Sequence, residues 1–206
     1  MRVLVLIHDA FGGRGGIAKF NRDLLTALAS APGVTEVVAL PRYIVEPVGT
    51  VPENLQYDEA ASHGKLAYLS RLIRHMLSGD GFDLVVCGHI NLLPFAAPWA
   101  LRAARPIALI LHGTEAWTPN SPRIVDRFRN RIDRFMPVSA LTRDRFVAWS
   151  GYDPDKAVVL PNCVELSRYA PGPKPPALLD RYGLSGRRVL MTLGRLETTQ
   201  RSKGHR

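Results

Sequence analysis

The chain is predicted to be an α/β protein built on a doubly wound, mostly parallel sheet. Two observations predict it. Short runs that are apolar throughout alternate with stretches of helical spacing, and the connections between them are short. Continuous apolar runs suit strands covered by helices on both faces, as in a parallel sheet.

Taken in order, residues 3–7, 34–40, 84–87, 107–111, 134–138 and 158–160 are expected as strands, and 16–30, 65–78, 92–104, 122–133 and 140–149 as helices. Ser139 is a natural N-cap for the last of these helices. Residues 1–169 are then expected to form one domain. Pro171, Pro173, Pro175 and Pro176 follow, and so many prolines together cannot continue a sheet or helix, which makes 170–176 a linker. Beyond it, 177–182 suits a short helix with Gly183 at its C-terminal cap, and 188–193 reads as a fresh strand. A strand after a linker opens a new domain. Too few residues remain to bury a second core, so 177–206 is expected to be the incomplete start of one.

With 46% hydrophobic and 22% charged residues, the composition is that of a globular domain. No apolar run approaches the ~20 residues needed to cross a bilayer. Val3 to Ile7 stops at His8-Asp9, too short for a secretory signal, and a cytoplasmic protein is expected. Cys87 and Cys163 suit a reducing compartment, Cys87 as a small core residue. No His/Cys cluster has zinc-like spacing, so no metal is expected. The formal net charge is +9, for which nucleic acid, a membrane surface and anionic small molecules compete as explanations. Neither a helix-turn-helix nor an RNA-recognition pattern accompanies the charge, which argues against nucleic acid.

Four places could carry chemistry. Gly12, Gly13, Gly15 and Gly16 lie between the first strand and the first helix, where glycine lets the backbone approach a ligand and a helix start favours an anion. They match neither a P-loop nor a dinucleotide fingerprint. His112 and Glu115 follow the strand at 107–111, and His89 follows the strand at 84–87. In open α/β sheets the carboxyl ends of strands are where ligands bind, so the two histidines could converge on one crevice. Asn162, in the turn after 158–160, is expected to tolerate a left-handed conformation. Finally, in 64–78 Leu66, Leu69, Ile73, Met76 and Leu77 share one helical face, while Lys65, Arg71, Arg74 and His75 decorate the other. Such a helix either covers its own sheet or lies on an anionic membrane surface.

The order of these features resembles the retaining family 4 glycosyltransferases. A Gly-rich first turn is followed by His112-Gly113, Val138-Ser139 with Thr142, Pro161-Asn162-Cys163-Val164, Gly194-Arg195-Leu196 and Lys203-Gly204. The resemblance covers essentially the whole chain. It implies a GT-B fold, of which this chain would hold the Rossmann-like, acceptor-side N-terminal half, truncated after the first strand of the donor-binding half.

It also implies roles. Gly15 and Gly16 would approach the donor diphosphate, and Arg195 and Lys203 would hold its phosphates. His112 would contact the donor sugar near the reacting centre, His89 would line the acceptor side, and Gly13, Glu115 and Asn162 are expected to line the acceptor side or the cleft. The nucleotide sugar is then a substrate, and no cofactor or metal is implied. Cys163 departs from the glycine common at that place in the family, and the family's paired-glutamate motif would lie beyond Arg206. The expected function is transfer of a sugar from a nucleotide donor to a saccharide or lipid-linked hydroxyl with retention, in polysaccharide or glycolipid biosynthesis. These 206 residues alone are expected to be inactive. Peripheral contact with the inner face of the membrane through 64–78, and self-association through 188–193, are further expectations. The alternative from another class is a stand-alone binding module that sets its basic face against anionic lipid or polyanion.

Overall fold

Strand β1 (Arg2–Ile7) opens the chain and is buried from Val3 onward, which is why it carries no polar residue after Arg2. Helix α1 (Gly16–Ala29) returns along one face to β2 (Glu36–Pro41) and the short β3 (Leu55–Tyr57). There follow α2 (Lys65–Leu77), β4 (Leu84–Cys87), α3 (Leu93–Ala103), β5 (Ile107–Leu111), α4 (Thr114–Trp117), α5 (Pro122–Phe128), β6 (Arg134–Pro137) and α6 (Ala140–Ser150). The six strands form one sheet in the order β3-β2-β1-β4-β5-β6. Every pair is parallel. This is the doubly wound Rossmann order, which reverses direction between β1 and β4. The computed structural model describes residues 1–77, 81–119, 122–167 and 169–191.

Side chains alternate between two cores, as the strand period of two demands. Leu4 and Leu6 point to one face, where Tyr68 of α2, Leu93 of α3, Phe135 and Phe146 pack. Val3, Val5 and Ile7 point to the other, against Phe20 and Leu25 of α1. Helix α6 starts as its sequence dictates: the Ser139 hydroxyl accepts the Thr142 backbone N–H at 3.1 Å. It stops at Gly151, whose left-handed φ of 64° reverses the chain.

Three sequence expectations differ from the structure. Residues 158–160 do not form a regular strand. Val158 and Leu160 donate their N–H groups to the carbonyls of Phe135 and Pro137 at 2.9 Å, but Pro137 has no N–H to extend the ladder. One isolated bridge, Phe135 to Ala157, is what forms. Strand β3 went unrecognised because three residues, with Gln56 among them, are too short for a period to show. Asn162 is not left-handed; among the described residues, Ala104 is the non-glycine residue with positive φ.

Helix α2 also departs from expectation. The residues it turns to the sheet are Tyr68, Leu72 and His75, with Met76 partly buried beside them. His75, expected on the polar face, is 7% exposed. Its Nε2 lies 2.6 Å from Asp58 Oδ2, and the Arg71 Nε–H donates to the same oxygen at 2.6 Å. A buried carboxylate with two such partners explains why two polar side chains of α2 turn inward.

Compact packing divides the chain into Met1–Cys163, which holds the whole sheet, and Val164–Arg206. The second unit contains α7 (Pro176–Tyr182), closed by Gly183 at φ 61°, with the Leu184 N–H on the Leu179 carbonyl at 2.8 Å. Of the strand expected at 188–193, residues 188–191 are not in a strand, and Leu190 and Met191 are exposed. Thr192 and Leu193 lie outside the described residues.

The β6–α6 corner rests on Phe135, which is fully buried with ring centroids 5.5 Å from Phe146 and 5.9 Å from Tyr152. Phe135→Ala is expected to lower unfolding stability by about 3–5 kcal/mol, as measured by urea denaturation.

Candidate functional site

The site is built where the sheet changes direction. His8 follows β1, His89 follows β4 and His112 follows β5, so three neighbouring strands deliver an imidazole to one edge. The His8 and His89 rings stack with centroids 4.1 Å apart, and His89 lies 6.3 Å from His112. Gly88 makes this approach feasible. A Cβ at that position would stand 2.7 Å from Ile7 Cγ2 and 2.8 Å from the Leu6 carbonyl oxygen, closer than packed atoms come.

Each ring is held. His89 Nδ1 accepts the Asn91 N–H at 3.1 Å, capping the turn that leads into α3. His112 Nε2 lies 2.9 Å from the Gly88 carbonyl oxygen. A carbonyl only accepts, so Nε2 carries the hydrogen and Nδ1 presents a lone pair. Phe20 of α1 packs edge-on against the His112 ring at 5.1 Å. Glu115 accepts the N–H groups of His112 and Gly113 at 2.5 and 3.1 Å. It therefore braces the strand-to-helix turn from beneath.

The first loop is similarly over-determined. Arg22 of α1 donates to the carbonyls of Ala10 and Gly13 at 2.8 and 3.1 Å. The Tyr57 hydroxyl donates to the Phe11 carbonyl at 3.0 Å. Gly15 ends the loop at φ 96°, a conformation that favours glycine, and α1 begins at Gly16 with no side chain capping it. No side chain caps its first N–H groups, which carry the positive end of the helix dipole.

A cavity of about 370 Å³ opens here, lined by Gly16, Ile17, Lys19, Phe20, Asp23, His112, Val138, Asn162 and Cys163. Gly16, His112 and Asn162 are thus brought together, with Gly15 beside them. Gly13 turns onto Asp9, where a Cβ would meet the carboxylate at 2.7 Å, and does not line the cavity. His89 is 7% exposed and sits behind His112, so it supports the edge from within. Arg195 and Lys203 lie outside the described residues. Sequence reasoning missed His8, Lys19, Phe20 and Asp23. His8 had a signal, since it too ends an apolar strand; the others are helix residues whose relation to the cavity depends on how α1 is turned. Lys19 donates to both Asp23 oxygens, at 2.6 and 2.5 Å, so this cavity carries a paired cation rather than a free one. Cys163 is exposed and Cys87 buried, both free, and burial pushes the Cys87 thiol up to about 12. Among the described residues, no three His, Cys, Asp or Glu side chains are arranged to hold a metal ion.

Burial dominates the electrostatics. It lowers the pKa of His89 to about 3, with His8 and His112 adding to the effect. His8 is lowered first by burial, then by His112 and Arg42. His112 is lowered by burial, against the opposing pull of the Gly88 carbonyl, Glu115 and Asp9. All three rings are therefore neutral at pH 7.

Below pH 6.5 the unfolded chain protonates its histidines, whereas native His89 stays neutral down to about 3. The unfolded state then binds more protons, so stability falls with pH through that window, by about 1.4 kcal/mol per unit for His89. Above 6.5 the contribution is fully present and flat. Denaturant midpoints at pH 7.5 and 5 are expected to show this loss, and His89→Asn, which keeps an acceptor for the Asn91 N–H, is expected to reduce it. Equal midpoints at both pH values would contradict the buried, neutral site.

HepE of Anabaena, solved in complex with UDP and glucose, superposes with a TM-score of 0.56 at 16% identity, over 90% of this chain and 51% of that one. Its complex with UDP-glucose gives 0.58 at 15% identity, over 90% and 50%. The lipopolysaccharide outer core galactosyltransferase WaaB in its apo form gives 0.54 at 15%, over 81% and 47%. At these identities the likeness is one of fold, and the chain spans about half the length of the structures it resembles. No curated protein matches the sequence. The model of Glycosyltransferase Family 4 matches residues 14–168, most of the sheet and the whole of the cavity wall, and the chain belongs to that family.

Proposed function

We propose that this chain is the acceptor-side half of a glycosyltransferase that moves a sugar from a nucleotide donor to an acceptor hydroxyl, with retention and without a metal. The observation that carries it is the juxtaposition of the uncapped start of α1 and the Nδ1 lone pair of His112 on one cavity. HepE, which shares this fold, binds UDP-glucose, and family membership supports the same donor class here.

The chemistry follows from those groups. As the sugar leaves, the nucleoside diphosphate gains negative charge. The N–H groups at Gly16 and Ile17 are preorganised to stabilise it, with no reorganisation during reaction. His112 is fixed by Gly88 and Phe20, so its Nδ1 is positioned to accept a hydrogen bond from a hydroxyl of the donor sugar. Glu115 keeps that turn rigid, since a displacement of ~1 Å would weaken the effect. Lys19 is engaged by Asp23, so the remaining phosphate charge is assigned to Arg195 and Lys203. These lie in 177–206, which we take as the start of the donor-binding domain beyond the 170–176 linker. Polysaccharide or glycolipid biosynthesis supplies the acceptor in this proposal.

Two measurements test it. Calorimetric titration with UDP- and GDP-sugars should show binding by the chain joined to a complete second domain and none by these 206 residues alone. Comparable saturable binding by the short chain would move donor recognition into the first unit and overturn the division of labour. In the joined protein, His112→Ala is expected to lower kcat/KM by about 100-fold while leaving the Kd for the free nucleoside diphosphate unchanged. A loss confined to nucleotide affinity would remove His112 from the reacting centre.

A further inference from the structure

Helix α2 has two apolar faces, and the sheet uses one. Tyr68, Leu72 and His75 pack inward, whereas Leu66, Leu69, Ile73 and Leu77 are 84%, 41%, 44% and 71% exposed. The outward residues are spaced i, i+3, i+7 and i+11, so at about 100° per residue they form a single stripe along the helix. It is turned roughly 140° away from the core-facing line. Large apolar side chains scattered singly on a surface need no explanation, but a continuous line of four does.

The stripe is bordered by cations. Helical spacing places Lys65 on one side of it and Arg74 on the other, both exposed, and neither has an ion-pair partner among the described residues. No Asp or Glu occurs anywhere in α2. A second copy of the chain is a poor occupant, because a two-fold contact through this stripe sets the cations of one helix against those of the other. An anionic lipid surface meets both requirements. The acyl boundary takes the leucines and isoleucine, and Lys65 and Arg74 reach headgroups on either side.

We propose that α2 is an interfacial anchor that lies in the surface of an anionic bilayer. Its position gives the anchor a use. Helix α2 links β3 to β4 and runs antiparallel to the strands, so its Lys65 end stands at the edge that carries His8 and His89. Arg42, at the same edge, holds its guanidinium over the Tyr68 ring at 5.5 Å, joining α2 to the histidine cluster. The anchor thus presents the acceptor edge to the bilayer, and this last step rests on the glycosyltransferase reading. The lipid binding itself does not.

The test is co-sedimentation of the 206-residue chain with vesicles of phosphatidylcholine alone and of phosphatidylcholine with phosphatidylglycerol. Partitioning onto the anionic vesicles that weakens with salt is expected. Leu69→Gln with Ile73→Gln should lower it by about tenfold or more. Lys65→Gln with Arg74→Gln should lower it about fivefold for each cation lost. Arg123→Gln with Arg127→Gln, the same charge change on exposed residues of α5, should leave it nearly unchanged. All the substituted side chains of α2 are exposed, and circular dichroism would confirm that the variants fold.

No partitioning onto anionic vesicles overturns the proposal. So does equal loss in the α5 control, which would assign binding to net charge, or binding that survives the Leu69 and Ile73 substitutions. A wild-type oligomer in light scattering that becomes monomeric in the Leu69/Ile73 variant would give the stripe to a second copy and overturn it too. No readout involves a sugar nucleotide, so failure here and failure of donor binding are separate results.

Discussion

The close pairing of β1 with β4 is the constraint on which the site depends. Parallel strands on either side of a reversal in strand order leave their carboxyl ends side by side, with no crossover helix between them. In this chain the two ends come close enough to stack imidazole on imidazole because Gly88 has no side chain to hold them apart. Strand β5 pairs with β4 on its other side and is followed by His112. The Gly88 carbonyl then fixes the His112 tautomer, so one residue both permits the approach and orients its most useful product.

Electrostatics at this edge run opposite to the bulk charge. The chain is strongly basic, yet the cavity is lined by one neutral histidine, His112, and a lysine matched to an aspartate. Burial outweighs the nearby carboxylates of Glu115 and Asp9 in setting the state of His112, and a neutral ring can accept a hydrogen bond where an imidazolium could not. What positive potential the described cavity offers comes from the backbone at the start of α1. Such a dipole is fixed in place and does not depend on pH. Lys65 and Arg74, which have no ion-pair partner among the described residues, border the outward face of α2 instead.

Helix α2 shows why an amphipathic pattern needs a third dimension. A helix on a sheet must bury one line of side chains, and the wheel offered an obvious one in its leucines. The buried carboxylate of Asp58 competes for the same space. It requires donors, and Arg71 and His75 supply them from the line that also carries Tyr68 and Leu72. Pairing the buried carboxylate turns Arg71 and His75 inward, and the aliphatic stripe of Leu66, Leu69, Ile73 and Leu77 faces outward. No local rule weighs these terms, because Asp58 belongs to a different segment.

The elements that the sequence determined by itself are those with strong local signals. Continuous apolar runs marked β1, β2, β4, β5 and β6. Ser139 and Gly183 marked helix ends, and alternation of strand and helix led to the parallel sheet. The histidines at 89 and 112 were legible for the same reason, since strand ends in such sheets are where ligands bind. Tertiary structure decided the rest. It paired the three residues of β3 with β2, withheld a ladder from 158–160 through Pro137, drew Gly13 onto Asp9, and placed His8, Lys19, Phe20 and Asp23 at the site. Each of these depends on a partner far away in the chain. Sequence pattern records what a residue prefers among its neighbours, whereas these positions are settled by which distant group needs a hydrogen bond, a counter-charge or the space.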